Sequence, residues 1–254
     1  MDTTDTVTTL ADAILDARRT GRRIPSSAVT DAEPSVAEAY AIQARVLAGI
    51  GPAGGFKAGR TSPDDHPSVA PIPQSMIRRN GATFTANELG ACGIELEVGF
   101  LIDRPLPSAD SSDFEKRLRD CVRPCPALEV VDSRFETFTK TPPGLKLADN
   151  QLGAGAVIGE PVDDWRPEDL CEPSVTLAFD GKTIVEGPRP VPGGSAFGTL
   201  AGFIQAAALH KYTIRPGQIV ITGSLSGMDF IEPGTRVEGS IAGLGTVTLT
   251  FAPG

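Results

Sequence analysis

Apolar residues recur at helical spacing near the start of the chain. One face of the segment Thr8–Arg19 carries Leu10, Ala13, Ile14 and Ala17, and basic residues at its end complement the helix dipole. A second segment opens at Ser35-Val-Ala-Glu38, which has the form of a capping box, and continues to Gly49. The pattern predicts an N-terminal helical cap region over residues 1–50.

From Gly51 onward, short apolar runs are separated by Gly and Pro turns, which indicates a β-rich catalytic domain over residues 51–254. A helix is expected over Phe197–Leu209, and the irregular spacing of the runs argues against a propeller or solenoid. An α+β fold follows, with cap and domain in one compact unit. The predicted strands are Ile94–Ile102, Ala127–Val131, Ala156–Ile158, Val175–Phe179, Gln218–Thr222 and Thr246–Phe251.

Composition narrows the classes of function. Among 254 residues, 40% are apolar and the net charge is −9, with no basic run, so a nucleic-acid partner is excluded. No apolar run approaches the roughly 20 residues that cross a bilayer. The four cysteines form no CxxC pair and the start lacks signal-peptide character, so we expect structural thiols and a cytoplasmic location. An anionic substrate would be repelled by the net charge, which favours a bound metal.

Several motifs resemble known sites and fail on inspection. The glycines of Gly153–Gly159 follow GxGxxxG rather than GxGxxG, and Gly181-Lys-Thr183 fits a hairpin turn better than a P-loop. No serine lies in GxSxG. His210 follows an alanine-rich helix and is expected at its C-terminal end, while the role of His66 in a Pro/Asp-rich loop stays open.

Three glutamates form the main candidate site. Glu95 and Glu97 are separated by one residue in an apolar run, so on a strand both project from one face. An ordinary amphipathic strand gives the same pattern. Glu129, also in an apolar run, must be exposed, paired or coordinated, and three clustered glutamates would repel without a cation. Carboxylate oxygens suit Mg²⁺ or Mn²⁺.

Lys57 lies among glycines that would let the backbone pass close to a ligand. Burial or a nearby metal would let it lose its proton more readily and act as acid or base, although an exposed loop lysine fits equally. Asp149-Asn150 and Thr222-Gly-Ser224 are polar groups at strand-end turns, where substrates commonly bind; turn chemistry is the alternative.

Seven motifs, taken in order, resemble the fumarylacetoacetate hydrolase superfamily, specifically its 2-keto-4-pentenoate hydratase and 4-oxalocrotonate decarboxylase branch. The resemblance spans nearly the whole chain. The motifs are Ala39-Tyr-Ala-Ile-Gln43, Gly55-Phe-Lys-Ala-Gly59 with Thr61-Ser62, Ile94-Glu-Leu-Glu97, Leu128-Glu-Val-Val-Asp-Ser-Arg134, Ala148-Asp-Asn150, Gly187–Gly198 and Gly217–Ser224.

The resemblance implies a β-rich mixed roll or sandwich of the fumarylacetoacetase C-terminal type. It implies a metal held by Glu95, Glu97 and Glu129, and catalytic roles for Lys57 and Asp149. The expected reaction adds water to a 2-hydroxy-2,4-dienoate, the enol of a 2-oxo-4-enoate, through a metal-stabilised enolate, as in aromatic catabolism. Alternatives, in order, are a 4-oxalocrotonate-type decarboxylase, an acylpyruvate C–C hydrolase and a non-catalytic partner subunit. A homo-oligomer is expected, with a hydratase or decarboxylase relative as a further possible partner.

The chain departs from this family pattern in ways that concern the substrate. Arg60 follows Gly59 where relatives carry an apolar residue, and Gln-Leu-Gly follows Asn150. Arg60 could recognise a second substrate carboxylate or form an outward salt bridge. The expected substrate contacts are Arg60, Ser62, Asn150, Thr222 and Ser224.

Overall fold

The computed structural model describes residues 3–25, 33–138, 141–210 and 212–254. The helices are α1 (Thr3–Thr20), α2 (Val36–Ile50), α3 (Phe114–Arg119), α4 (Pro143–Ala148) and α5 (Ala196–Leu209). The strands are β1 (Ala53–Gly59), β2 (Ser68–Pro73), β3 (Ile77–Arg79), β4 (Ala82–Thr85), β5 (Gly93–Ile102), β6 (Val122–Val131), β7 (Gly153–Ile158), β8 (Ser174–Phe179), β9 (Lys182–Pro188), β10 (Ile219–Ser224), β11 (Asp229–Phe230), β12 (Arg236–Ile241) and β13 (Gly245–Ala252).

The two predicted N-terminal helices are confirmed as α1 and α2. The Ser35 hydroxyl accepts from the backbone N–H of Glu38, and the Glu38 carboxylate accepts from the backbone N–H of Ser35, so the capping box is complete. The apolar faces of both helices pack with Phe135 and with Leu145 of α4 in a separate hydrophobic cluster. The helical region therefore rests on the segment that leads into β7.

The strands form two mixed sheets in the described part of the chain. The large sheet has the order β2-β1-β10-β5-β6-β7-β3, with β11 added alongside β5. The small sheet has the order β4-β13-β12-β8-β9. Three pairs are parallel (β1 with β10, β3 with β7, β4 with β13) and the other pairs are antiparallel. The expected α+β, β-rich mixed fold is confirmed.

The main core lies between the two sheets. Leu96 of β5 and Leu128 of β6 are fully buried there, with α5 covering the adjoining part through Leu200. A Cβ added at Gly239 in β12 would lie 2.7 Å from a methyl of Leu96, so the absent side chain lets the sheets approach. Because alternate residues point to opposite faces, the residues between these core positions face away from the small sheet.

The predicted strands are all present, but β6 begins at Val122, five residues before the predicted start at Ala127. Pro124 and Pro126 look like strand breakers, yet both lie in the ladder with β5. On the other side, their carbonyls accept from the N–H groups of Val162 and Gly159. On that side only the proline carbonyls are used, as acceptors. The missing N–H of each proline therefore leaves no hydrogen bond unmade, and the strand tolerates both residues.

The rejected motifs have structural roles. The glycine-rich segment from Gly153 is strand β7, and Gly181 lies with Asp180 in the two-residue turn of the β8–β9 hairpin, at φ values of 79° and 50°. The four cysteines are free thiols. Among the described helices, none is long and apolar enough to cross a membrane.

Candidate metal centre and active site

Three glutamates meet on the face of the large sheet that is turned away from the small sheet. Glu95 and Glu97 are two residues apart on β5 and so project from the same face. The register of β5 with β6 sets Glu129 opposite Glu95. One carboxylate oxygen from each of the three residues lies within 4.8 Å of the other two. The sheet register thus joins two separate sequence patterns into one cluster.

The cluster is poorly suited to hold three negative charges by itself. Burial, followed by the charges of Glu129 and Glu95, raises the pKa of Glu97 well above its usual range. Burial and the charge of Glu129 also raise the pKa of Glu95. Glu97 is 3% exposed and Glu129 is 0% exposed, so water screens neither well. A cation between the carboxylates would remove this repulsion.

The donor set fits a hard divalent cation. The Oε2 atom of Glu129 is buried and has no hydrogen-bond partner among the described residues. A buried carboxylate oxygen without a hydrogen-bond partner destabilises the fold unless a ligand binds to it. The three acidic residues offer only oxygen, which Mg²⁺, Mn²⁺ and Ca²⁺ prefer. These residues are therefore a candidate metal centre, with Glu129 Oε2 as an acceptor in need of a partner.

Lys57 of β1 adjoins the cluster. Its Nζ donates to Glu129 Oε1 at 2.5 Å and to the carbonyl oxygen of Gln151 at 3.1 Å, and its side chain is 14% exposed. Burial is the largest single effect and lowers the pKa of Lys57. The charges of Glu129, Glu97 and Glu95, together with the hydrogen bond to Glu129, outweigh it, so the pKa is raised. The expectation of readier proton loss through burial is therefore not met in the metal-free protein, because three carboxylates favour the ammonium form.

The last residues of β10 lie beside two of the glutamates. The backbone N–H of Gly223 donates to Glu97 Oε2 at 2.7 Å. The Ser224 hydroxyl donates to the Gly227 carbonyl at 3.1 Å, and its proximity to Glu95 acts to lower the pKa of that carboxyl, against the stronger effect of burial. A register shift between Ile221 and Ser224 turns the strand there. Thr222, in contrast, is buried and donates to the Val98 carbonyl at 2.9 Å, which is a bond within the sheet.

Arg60 and Ser62 are not brought into contact with the glutamates. Arg60 follows Lys57 by three residues along an extended segment and so points to the opposite side. Its Nε donates to Thr199 of α5 at 3.1 Å and its Nη1 to the Pro63 carbonyl at 2.7 Å. Ser62 is bonded within its own loop, where its N–H donates to Asp65 at 2.9 Å. This geometry gives no support to a substrate carboxylate at Arg60.

Asp149 and Asn150 are buried beside the site. The Asp149 carboxylate accepts from Arg134 Nε at 2.6 Å and lies 3.7 Å from an Arg18 nitrogen. The Asn150 side-chain amide donates to the Pro71 carbonyl at 3.0 Å, while its Oδ1 is buried without a hydrogen-bond partner among the described residues. A direct catalytic role for Asp149 and a substrate contact for Asn150 stay predictions. The turn that Asn150 opens has left-handed backbone angles, which cost about 1–2 kcal/mol per residue with a Cβ.

Sequence reasoning missed three groups near the site: the Gln151 carbonyl, the Gly223 N–H and the side chain of Arg18. Backbone groups carry no residue-type signal. Arg18 did carry one, since it lies four residues after Ile14 and seven after Ala11, on the apolar face of α1. A charged residue on that face is expected to have a buried partner.

A cavity of about 840 Å³ occupies the other end of the same sheet face, lined by Ala53, Leu101 and Ile219 among others. The buried residues Ile72, Ala127, Ala156 and Ile221 form a cluster on that face between the cavity and the glutamates. The cavity is therefore separate from the candidate metal centre.

The chain is similar in sequence to proteins named hydratase and decarboxylase, and in fold to a solved decarboxylase. The chain is 27% identical over 273 aligned positions to a 2-keto-4-pentenoate hydratase of Burkholderia vietnamiensis, covering 99% of both chains. It is 27% identical to a 4-oxalocrotonate decarboxylase of a Pseudomonas species over 49% of this chain and 48% of that one. The fold matches the 4-oxalocrotonate decarboxylase of Pseudomonas putida G7, solved with magnesium and adipate, with a TM-score of 0.81, 22% identity and 97% coverage of both chains.

The family model of the fumarylacetoacetate (FAA) hydrolase C-terminal domain matches residues 53–252. This range holds β1, which carries Lys57, and the strands that carry the three glutamates. Because the match covers most of the 254-residue chain, the protein belongs to the fumarylacetoacetate hydrolase C-terminal family.

Proposed function

We propose that the protein is a divalent-metal-dependent lyase that adds water to a 2-oxo-4-enoic acid, supplied as its 2-hydroxy-2,4-dienoate enol. The observation that carries the proposal is the cluster of Glu95, Glu97 and Glu129, with its orphaned buried oxygen and Lys57 on the same carboxylate. The full-length similarity to a protein named 2-keto-4-pentenoate hydratase supports this reaction over others of the family.

Glu95, Glu97 and Glu129 would hold the cation. When bound, a divalent cation supplies a Lewis acid that attracts the carboxylate and keto oxygens of a 2-oxo acid and favours loss of a proton beside the carbonyl. The Gly223 N–H keeps Glu97 directed into the cluster. Mg²⁺ is our proposal for the physiological ion, with Mn²⁺ as the alternative; the oxygen-only donor set suits both.

Lys57 is the proposed carrier of protons. Its Nζ lies at the cluster and carries N–H donors. The amine can therefore deliver a proton to a substrate carbon and take a proton back from the substrate. Addition of water leaves the oxidation state of the substrate unchanged, so the reaction needs no redox cofactor. The burial of Lys57 and Glu129 keeps bulk water from competing for the proton.

The assay is incubation with Mg²⁺ and a series of 2-oxo-4-enoic acids, with diene absorbance and CO₂ release followed together. Loss of the diene without CO₂ is the expected result. Release of CO₂ would replace the hydratase proposal by decarboxylation, and no turnover of any acid would overturn both. Lys57→Met should lose the activity, and Lys182→Met, which alters an exposed hairpin lysine, serves as the matched control.

No observation favours a C–C hydrolase or a non-catalytic subunit. The hydrolase would need a histidine paired with a carboxylate to activate water, and His210 is stacked on Tyr40 with ring centroids 3.6 Å apart. His66 lies exposed in the loop after β1.

A homo-oligomer, association with a relative, the cytoplasmic location and the division at residue 50 stay predictions.

A further inference from the structure

A left-handed turn presents a carbonyl to Lys57. Asn150, Gln151 and Leu152 have φ values of 51°, 51° and 64°, which residues with a Cβ rarely adopt singly and very rarely adopt in succession. The Gln151 carbonyl of this turn accepts from Lys57 Nζ at 3.1 Å. Such a conformation persists only when its surroundings hold it, and strain of this kind collects at functional sites.

The surroundings include an ion triad of Arg18, Asp149 and Arg134. Arg134 donates from its backbone N–H to Asp149 Oδ2 at 2.9 Å and from Nε to Oδ1 at 2.6 Å. An Arg18 nitrogen lies 3.7 Å from the same Oδ1. The Asp149 side chain is 0% exposed and each arginine side chain is 7% exposed. Charge-assisted bonds in such a dry site are strong and directional.

The triad bonds both ends of the turn. Asp149 is the residue before it, and the carbonyl of Gly153, the residue after it, accepts from Arg18 Nη2 and Arg134 Nη2, each at 3.3 Å. The Asn150 amide adds a bond to the Pro71 carbonyl in β2. The backbone from Asp149 to Gly153 is therefore held at each end and on one side, and the Gln151 carbonyl projects between these points towards Lys57.

The burial of Arg18 in this arrangement is energetically unfavourable. It comes from the last turn of α1, its Nε is buried without a hydrogen-bond partner among the described residues, and two arginines share one carboxylate. Burial, followed by the charge of Arg134, lowers the pKa of Arg18 to about 9. A residue chosen for stability alone at this apolar position would be aliphatic.

We propose that Arg18, Asp149 and Arg134 are positioning residues, which hold the left-handed turn so that the Gln151 carbonyl places the Lys57 amine for proton transfer. The inference rests on the proposed role of Lys57. It assigns Asp149 an indirect role, through Gln151, in place of direct contact with the substrate. It also connects the N-terminal helix to the chemistry of the β-rich domain.

The first experiment compares Arg18→Gln, Arg18→Lys and the control Arg45→Gln, whose side chain forms an exposed ion pair with Asp12. A misplaced acid or base lowers kcat, so Arg18→Gln should lose at least about tenfold in kcat. KM and the Kd of the magnesium–oxalate pair should stay within about twofold, because the glutamates are untouched. Arg18→Lys should recover part of kcat, and it replaces the glutamine variant if that variant does not fold.

The second experiment is a double-mutant cycle with Gln151→Gly. Glycine adopts φ near +51° without strain and keeps the carbonyl, so the turn would need less support. The loss of kcat caused by Arg18→Gln should therefore shrink in the Gln151→Gly background. An equal loss in both backgrounds would overturn the inference, as would parallel changes in kcat, KM and Kd that follow the loss of stability.

The third measurement uses metal-free protein and needs no turnover. Acetic anhydride labelling read by mass spectrometry compares Lys57 with the exposed Lys182 in the same sample. Loosening the turn in Arg18→Gln should increase relative labelling of Lys57 by at least about twofold; unchanged labelling contradicts the inference. If wild-type protein hydrates no 2-oxo-4-enoate, the proposed function fails, while the labelling still decides whether the triad places Lys57.

Discussion

Replacing Glu97 by Gln should stabilise the metal-free protein while abolishing its response to metal. The glutamine is the same size and can still accept from the Gly223 N–H, which lies 2.7 Å from Glu97 Oε2. It removes a buried charge that has two carboxylates within 4.8 Å. The substitution thus tests whether the cluster is arranged for a cation rather than for stability.

The magnitude follows from the spacing. Two full charges no more than 4.8 Å apart repel by at least about 3 kcal/mol at an effective dielectric constant of about 20. Attraction to Lys57 offsets part of this repulsion, so a net gain of about 2 kcal/mol is expected, or about 4–8 °C in Tm for a chain of this size. The same repulsion makes the stability of the metal-free protein depend on pH. The pKa of Glu97 is raised in the folded state, so the folded protein binds this proton more tightly than the unfolded chain does. Metal-free wild type should therefore gain stability on acidification from neutral pH towards the ordinary glutamate value of 4.5, and Glu97→Gln should gain less.

The assay is thermal unfolding by circular dichroism in chelator and then with added Mg²⁺ and oxalate. Wild type should rise in Tm with the additions, and Glu97→Gln should start higher and not respond. Glu186→Gln, at an exposed position of β9, should behave as wild type. A lower metal-free Tm for Glu97→Gln, or a retained response to Mg²⁺, would refute the reasoning.

Three further outcomes are expected. Lys57→Met should lower kcat by about 10²–10⁴-fold while magnesium-dependent oxalate binding, measured by calorimetry, is kept, because the lysine moves protons and does not hold the ion; loss of oxalate binding would count against that division of roles. Gln151→Gly should raise the free energy of unfolding in urea by about 1 kcal/mol through relief of left-handed strain, and Gln151→Val should lower it. Ser35→Ala should cost about 1 kcal/mol in the same measurement, since Glu38 loses its capping partner; a cost near zero would show that the α2 cap is dispensable.

Much of the fold was accessible from the sequence because its signals are local. The spacing of Leu10 and Ile14, and the capping box at Ser35, depend only on neighbouring residues. Strand β1 carries few such signals, since glycines occupy positions that side chains would otherwise mark. If β1 had been predicted, the alternation of side chains along a strand would have shown that Arg60 and Lys57 point to opposite faces.

The candidate site was accessible only in part because it depends on pairing between distant strands. The alternation of Glu95 and Glu97 puts them on one face, but only the β5–β6 register places Glu129 opposite Glu95. The approach of Gln151 to Lys57 across 94 positions has no local signal at all. The family motifs indicated the complete cluster, which hydrophobic periodicity alone does not, because the resemblance implies a known tertiary fold.

The most direct test of the account is calorimetric titration of oxalate, a mimic of the 2-oxo acid, into the protein with and without Mg²⁺. Wild type and Glu186→Gln should bind oxalate only when Mg²⁺ is present, and Glu129→Gln should bind none under either condition. Binding of oxalate without Mg²⁺, or unchanged binding by Glu129→Gln, would contradict the assignment of the three glutamates as the metal centre of a 2-oxo acid enzyme.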